Sequence, residues 1–120
     1  MLSHDNCGAV SAALEQDHPE STPLPPHIAE ITDAIAPAVT RVRLSRDLKP
    51  GELDDPEAVG REHMRDTVSV LLASSELISD AVALGKLAVV GANYTLAEGR
   101  VSPSVVIGAL DEQKDQGLTS

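Results

Sequence analysis

Apolar residues along this chain follow a helical spacing over most of its length, then change near the end to a continuous run and a return. Ile28, Ile31, Ile35, Val39 and Val42 recur at intervals of three and four, which marks one face of an amphipathic helix. Pro37 sits inside that pattern and lacks a backbone donor, so a kink or break is predicted near Ala34. Asp55-Pro56-Glu57 predicts a second helix start, with an Asp cap, Pro at the first helical position and an acid in the first turn. Met64, Val68, Leu71 and Leu72 continue its apolar face. Ser74-Ser75-Glu76 is expected to end that helix and cap another, which carries Leu77, Ile78, Ala81 and Val82. Gly85 suits a left-handed terminator.

Leu87 to Ala92 is almost continuously apolar, as expected of a strand buried on both faces. Asn93 to Leu96 continue it, Glu98-Gly99 makes a turn, and Arg100 to Ile107 return antiparallel. Pro103 would place the returning strand at a sheet edge. At the other end, apolar Met1-Leu2 leads into polar His4-Asp5-Asn6, and Cys7 to Glu15 then reads as a helix start with Asn6 or Asp5 as N-cap. That stretch is the end of a strand, a tight turn and the first turns of a helix. Segments 17–26 and 45–56, rich in Pro, Ser and Asp, read as loops. Asp111 to Ser120 reads as a solvated tail, and no internal repeat is present.

Composition narrows the picture. A chain of 120 residues fits one domain, but with no Trp, no Phe and Tyr94 as its single aromatic it must build its core from Ala, Val, Leu and Ile. The net charge of −10 opposes binding to nucleic-acid phosphates and anionic membrane surfaces. No apolar run approaches the roughly 20 residues of a membrane span, and the N-terminus lacks the charged start and apolar stretch of a signal peptide. Cys7 is the only cysteine, which excludes an intrachain disulfide and suits a reducing cytoplasm.

The candidate chemistry lies in His4-Asp5-Asn6-Cys7-Gly8-Ala9-Val10. A His at a strand end and a Cys at a helix start can converge on one metal ion, and zinc favours imidazole nitrogen with thiolate sulfur. The helix N-terminus beneath Cys7 would favour an anion there, and Gly8 would leave room beside the metal. Taken alone the motif also fits a partly buried Cys near a surface His. A cysteine-phosphatase loop would need Arg six positions after the Cys, where Ala13 stands. His18, His27 and His63 read as surface histidines, Tyr94 as a core residue with its hydroxyl at a polar rim, and Asp54, Asp55 and Glu57 as capping carboxylates.

Leu2-Ser3-His4-Asp5-Asn6-Cys7-Gly8-Ala9-Val10 closely resembles the β-class carbonic anhydrase signature, a hydrophobic strand followed by Gly-His-x-x-Cys-Gly-Ala-Val. The resemblance continues through Ala34 to Val39, Glu62 to Val70, Leu77 to Val82, and Gly85 to Tyr94 followed by Gly99-Arg100-Val101. It implies an α/β fold: the C-terminal part of a parallel sheet flanked by helices, ending in an antiparallel hairpin. Residues 1–110 would be a partial carbonic anhydrase domain, and residues 111–120 the tail.

The resemblance also implies zinc-dependent reversible hydration of carbon dioxide to bicarbonate. The family binds zinc through Cys, His and Cys, and His4 and Cys7 match the latter two; no further catalytic residue is expected beyond this metal site. The first ligand belongs to an upstream Cys-x-Asp-x-Arg motif that this sequence does not contain, and Ser3 replaces the usual Gly before the His. Catalysis by this chain alone is therefore expected to be impaired. The alternative is a non-catalytic fragment that packs against a full-length relative. Homo-oligomers, or association with such a relative, are the expected assemblies.

Overall fold

The computed structural model describes residues 1–108, so the expected tail at 111–120 lies outside the described residues. Among the described residues the elements run β1 (Leu2–His4), α1 (Gly8–Gln16), α2 (Pro26–Ser45), α3 (Pro56–Ser74), α4 (Glu76–Ala83), β2 (Val89–Thr95) and β3 (Arg100–Ile107). They divide into two compact units, one of residues 5–63 and one that joins residues 1–4 to the chain from Met64 onward. The fold is α/β, with a parallel strand pair extended by an antiparallel hairpin, as the sequence predicts.

In the first unit, Val10 and Ala13 of α1 pack with Ile35, Ala38, Val39 and Val42 of α2 and with Leu53, Ala58 and Val59. Arg43 Nε lies 3.3 Å from Asp17 Oδ2, and the Gly51 amide donates to the same oxygen at 3.2 Å. This largely buried pair ties the loop after α2 to the end of α1. Asp55 Oδ1 accepts the Ala58 amide at 3.1 Å, which is the predicted cap of α3.

Three expectations need correction here. The N-cap of α1 is Cys7, with φ −72° and ψ 120°, and not Asn6 or Asp5. Asn6 adopts φ 51°, and this left-handed turn residue brings the chain round one position before the cap. Second, the break expected near Ala34 does not occur, and α2 runs as one helix across Pro37. The residues on either side of Pro37, Ile35, Ala38 and Val39, are buried, and their packing holds the helix through the missing bond. Third, Ile28 and Ile31 are 46% and 54% exposed, because the opening turns of α2 extend past the core and Thr32 is the buried residue there.

In the second unit, Met64 and Val68 of α3 pack with Val89, and Leu71, Leu72, Ile78, Val82, Val105 and Ile107 close around them. Ser75 caps α4 by accepting the Ile78 amide. α4 ends in the expected left-handed glycine: Gly85 has φ 74°, its amide donates to Val82 O, and the Lys86 amide donates to Ala81 O. The sheet order is β1-β2-β3. The Ala92 amide points to β1, where it donates to Met1 O at 2.9 Å, so its β3 partner Pro103 turns its missing donor outward. Pro103 thus costs the ladder nothing and removes a donor from the sheet edge. Between Gly91 and Ala92 the register shifts, leaving Ser104 as a bulge whose hydroxyl donates to Gly91 O.

Candidate metal site

β1 carries His4 as its last residue, directly beside Tyr94 of β2 in the parallel register. Met1, just before the strand, anchors it: its terminal ammonium donates to Val90 O at 2.7 Å. His4 is exposed, and with Leu2, Ser3, Tyr94 and Leu96 it lines an open hollow of about 320 Å³. Only three chain steps further on, Cys7 stands at the start of α1, half-buried and with a free thiol. Its carbonyl accepts the Ser11 amide at 3.1 Å, so the backbone at Cys7 is committed to the helix. A Cβ on Gly8 would meet nothing within 4 Å, so packing within the chain does not require glycine there.

The chain matches the family described as carbonic anhydrase over residues 1–101, a span that holds His4 and Cys7 and reaches into β3. It belongs to the β-class carbonic anhydrases. It is 34% identical over 113 residues to carbonic anhydrase 2 of Mycobacterium tuberculosis, covering 94% of this chain and 51% of that protein. To a carbonic anhydrase of Mycolicibacterium smegmatis it is 32% identical over 112 residues, covering 93% of this chain and 51% of that one. The chain thus spans about half the length of the curated relatives it matches.

Family membership raises the question of a metal. Imidazole and thiolate are the donor types that zinc selects, and His4 and Cys7 supply one of each. The number falls short: among the described residues no three His, Cys, Asp or Glu side chains come together in a group that could hold a metal ion. The remaining histidines stand elsewhere. His18 is packed so closely that a Cβ on Gly51 would lie 2.8 Å from its Cδ2, and its Nδ1 accepts the Glu20 amide. His27 is exposed near the start of α2, and His63 is half-buried within α3.

Asp55 is held below the usual carboxylate range, first by the Ala58 amide and then by Arg46, whose Nη2 lies 2.9 Å from Oδ2. Both partners are structural, in keeping with a capping role. Sequence reasoning missed the pairing of Ser3 with Asn93, whose Oδ1 accepts the Ser3 hydroxyl at 2.9 Å. A polar Asn in a run that begins Leu-Ala-Val-Val-Gly-Ala was the available signal. No helix among the described residues is long and apolar enough to cross a membrane.

Proposed function

We propose that this chain is part of a zinc-dependent carbonic anhydrase, an enzyme of the lyase class that interconverts carbon dioxide and bicarbonate, and that His4 and Cys7 are two of its metal ligands. The observation that carries this reading is the family match over residues 1–101, which takes in both residues. The reading is also supported by the sequence, in which two residues separate His4 at the end of β1 from Cys7 at the start of α1. Zinc, when bound, would supply the Lewis acidity that makes a hydroxide nucleophile accessible near neutral pH. The chain's own part is to hold two donors, the His4 imidazole and the Cys7 sulfur.

Two protein ligands leave zinc one short of the three that a catalytic site uses. The chain by itself is therefore expected to bind zinc weakly and to turn over slowly if at all. The second reading, a non-catalytic piece that packs against a longer relative, is favoured by one observation, the coverage of about half of each relative. In either case the expected assembly is an oligomer, with a second copy or with such a relative, and the lone cysteine suits the cytoplasm.

A chimera tests the function directly. Joining this chain to the remaining half of the M. tuberculosis relative should give zinc-dependent hydration of carbon dioxide that His4→Ala and Cys7→Ala abolish. A chimera that folds and binds zinc yet leaves hydration at the background rate counts against the enzymatic reading. Robust turnover by the 120-residue chain alone would overturn the view that its ligand set is incomplete.

A further inference from the structure

β1 has only three residues, so its length does little to fix its register. Leu2 lies opposite Ala92, Ser3 opposite Asn93 and His4 opposite Tyr94. Side chains alternate along a strand, so Ser3 and Asn93 share the face on which Val89 and Gly91 meet α3, while Leu2 and His4 share the other. Leu2 is 64% exposed in this arrangement. A slip of one residue would move Leu2 to the face packed by α3 and α4 and turn His4 over with it. The slip would exchange Met1 and Ser3 on that face for Leu2 and His4, so burial alone does not fix the register.

The paired β1–β2 ladder opposes the slip, together with the bonds from the terminal ammonium to Val90 O and from the Ala92 amide to Met1 O. Backbone donors and acceptors repeat along a strand, so a shifted β1 can re-form equivalent bonds. The side-chain bond has no such substitute. Ser3 Oγ donates to Asn93 Oδ1 at 2.9 Å and lies 3.4 Å from Ala92 O, joining residues that are 90 positions apart in the sequence. A slip would place Leu2 beside Asn93 and leave this half-buried amide oxygen facing a hydrocarbon.

We propose that Ser3 and Asn93 form a register lock and act as positioning residues for His4, holding its imidazole on the face beside Tyr94. The glycine expected at the Ser3 position from the family resemblance could not make this bond. The consequence for metal binding rests on the reading of His4 as a ligand; the lock itself does not.

The test uses the full 120-residue chain with Ser3→Ala and Asn93→Ala, and with Ser3→Thr and Asn93→Asp as conservative replacements that keep a donor and an acceptor. Nuclear Overhauser contacts between the His4 and Tyr94 backbones report the register, and hydrogen exchange at the Ala92 amide reports its strength. Val68, in the core beneath β2, is the control for unfolding. The alanine variants should lose the His4–Tyr94 contacts and exchange roughly fivefold or more faster at Ala92 with Val68 unchanged, and the conservative variants should restore both. Cobalt(II) titration of the same samples should weaken in step. If both alanine variants keep the contacts and the Ala92 protection, the lock is wrong. If Val68 exchange rises equally, the bond stabilises the unit as a whole, which also overturns the proposal. Loss of register with unchanged cobalt affinity would leave the lock standing and remove His4 from the metal site.

Discussion

Gly91 in β2 passes Met64 in α3 so closely that a Cβ at Gly91 would lie 2.8 Å from Met64 Cγ and 2.9 Å from its Sδ. Real Cβ atoms do not approach to that distance, so the buried Met64 or the strand must shift. The glycine lets the strand meet the helix, and Val89 on the same strand completes the contact. Gly91→Ala should therefore destabilise the second unit by about 1–3 kcal/mol, the usual cost of overpacking. Urea unfolding checks this, and Met64→Ala supplies the second arm of a double-mutant cycle. In the Met64→Ala background the penalty at Gly91 should shrink or reverse. Equal penalties in both backgrounds would mean that Met64 does not set the cost.

Asp55 predicts a dependence on acidity. Its carboxyl is held low by the Ala58 amide first and by Arg46 after it, so the folded protein binds the proton less readily than the unfolded chain does. The stabilisation is then fully present above about pH 4, where the free side chain is ionised, and is lost as pH falls through the lower folded value. Asp55→Ala should cost about 1 kcal/mol at neutral pH through the lost cap of α3. Asp55→Asn should keep most of the cap and flatten the acid limb of the stability profile. A steep acid limb that survives Asp55→Asn would assign the effect to another carboxylate.

How far the fold could be read depended on how local its causes are. The caps at Asp55 and Ser75 and the stop at Gly85 each rest on residues within one helical turn, and all were legible. So was the hairpin, whose turn and edge proline lie within a few residues of each other. The cap at Cys7 was not, because it follows from the left-handed turn at Asn6, a conformation open to Asn but not required of it. The unbroken course of α2 depends on burial of Ile35, Ala38 and Val39 in a core built from three other segments. The candidate site divides in the same way: His4 and Cys7 are conspicuous as a motif, whereas the partner that fixes the strand beneath His4 lies at Asn93.

Metal binding should follow the two donors. Cobalt(II), which reports thiolate coordination through its absorption, is expected to bind weakly to the chain, with no third donor grouped near by among the described residues. Cys7→Ala should abolish the thiolate band. His4→Ala should keep some of it and weaken affinity by more than roughly tenfold, the scale on which even outer-shell partners act. Retention of one tightly held zinc per chain after dialysis against a chelator would show that a further ligand completes the set.

Pro37 offers a stabilising change. It lies at an exposed position inside α2, and its ring leaves the Asp33 carbonyl without the helical donor that any other residue would give. Because the side chain faces solvent, Pro37→Ala removes no core contact at Ile35, Ala38 or Val39. Restoring the bond and relieving the clash is worth up to about 3 kcal/mol. Against this stands the extra freedom that alanine gives the unfolded chain, about 0.4–1 kcal/mol. The balance favours the variant by about 2 kcal/mol, visible as a higher urea midpoint with an unchanged slope. The gain should appear in amide exchange across α2 and leave β2 unaffected. An unchanged or lower midpoint would mean that the buried face of α2 is packed around a bend that the proline sets, so that straightening the helix loosens the core it was expected to strengthen.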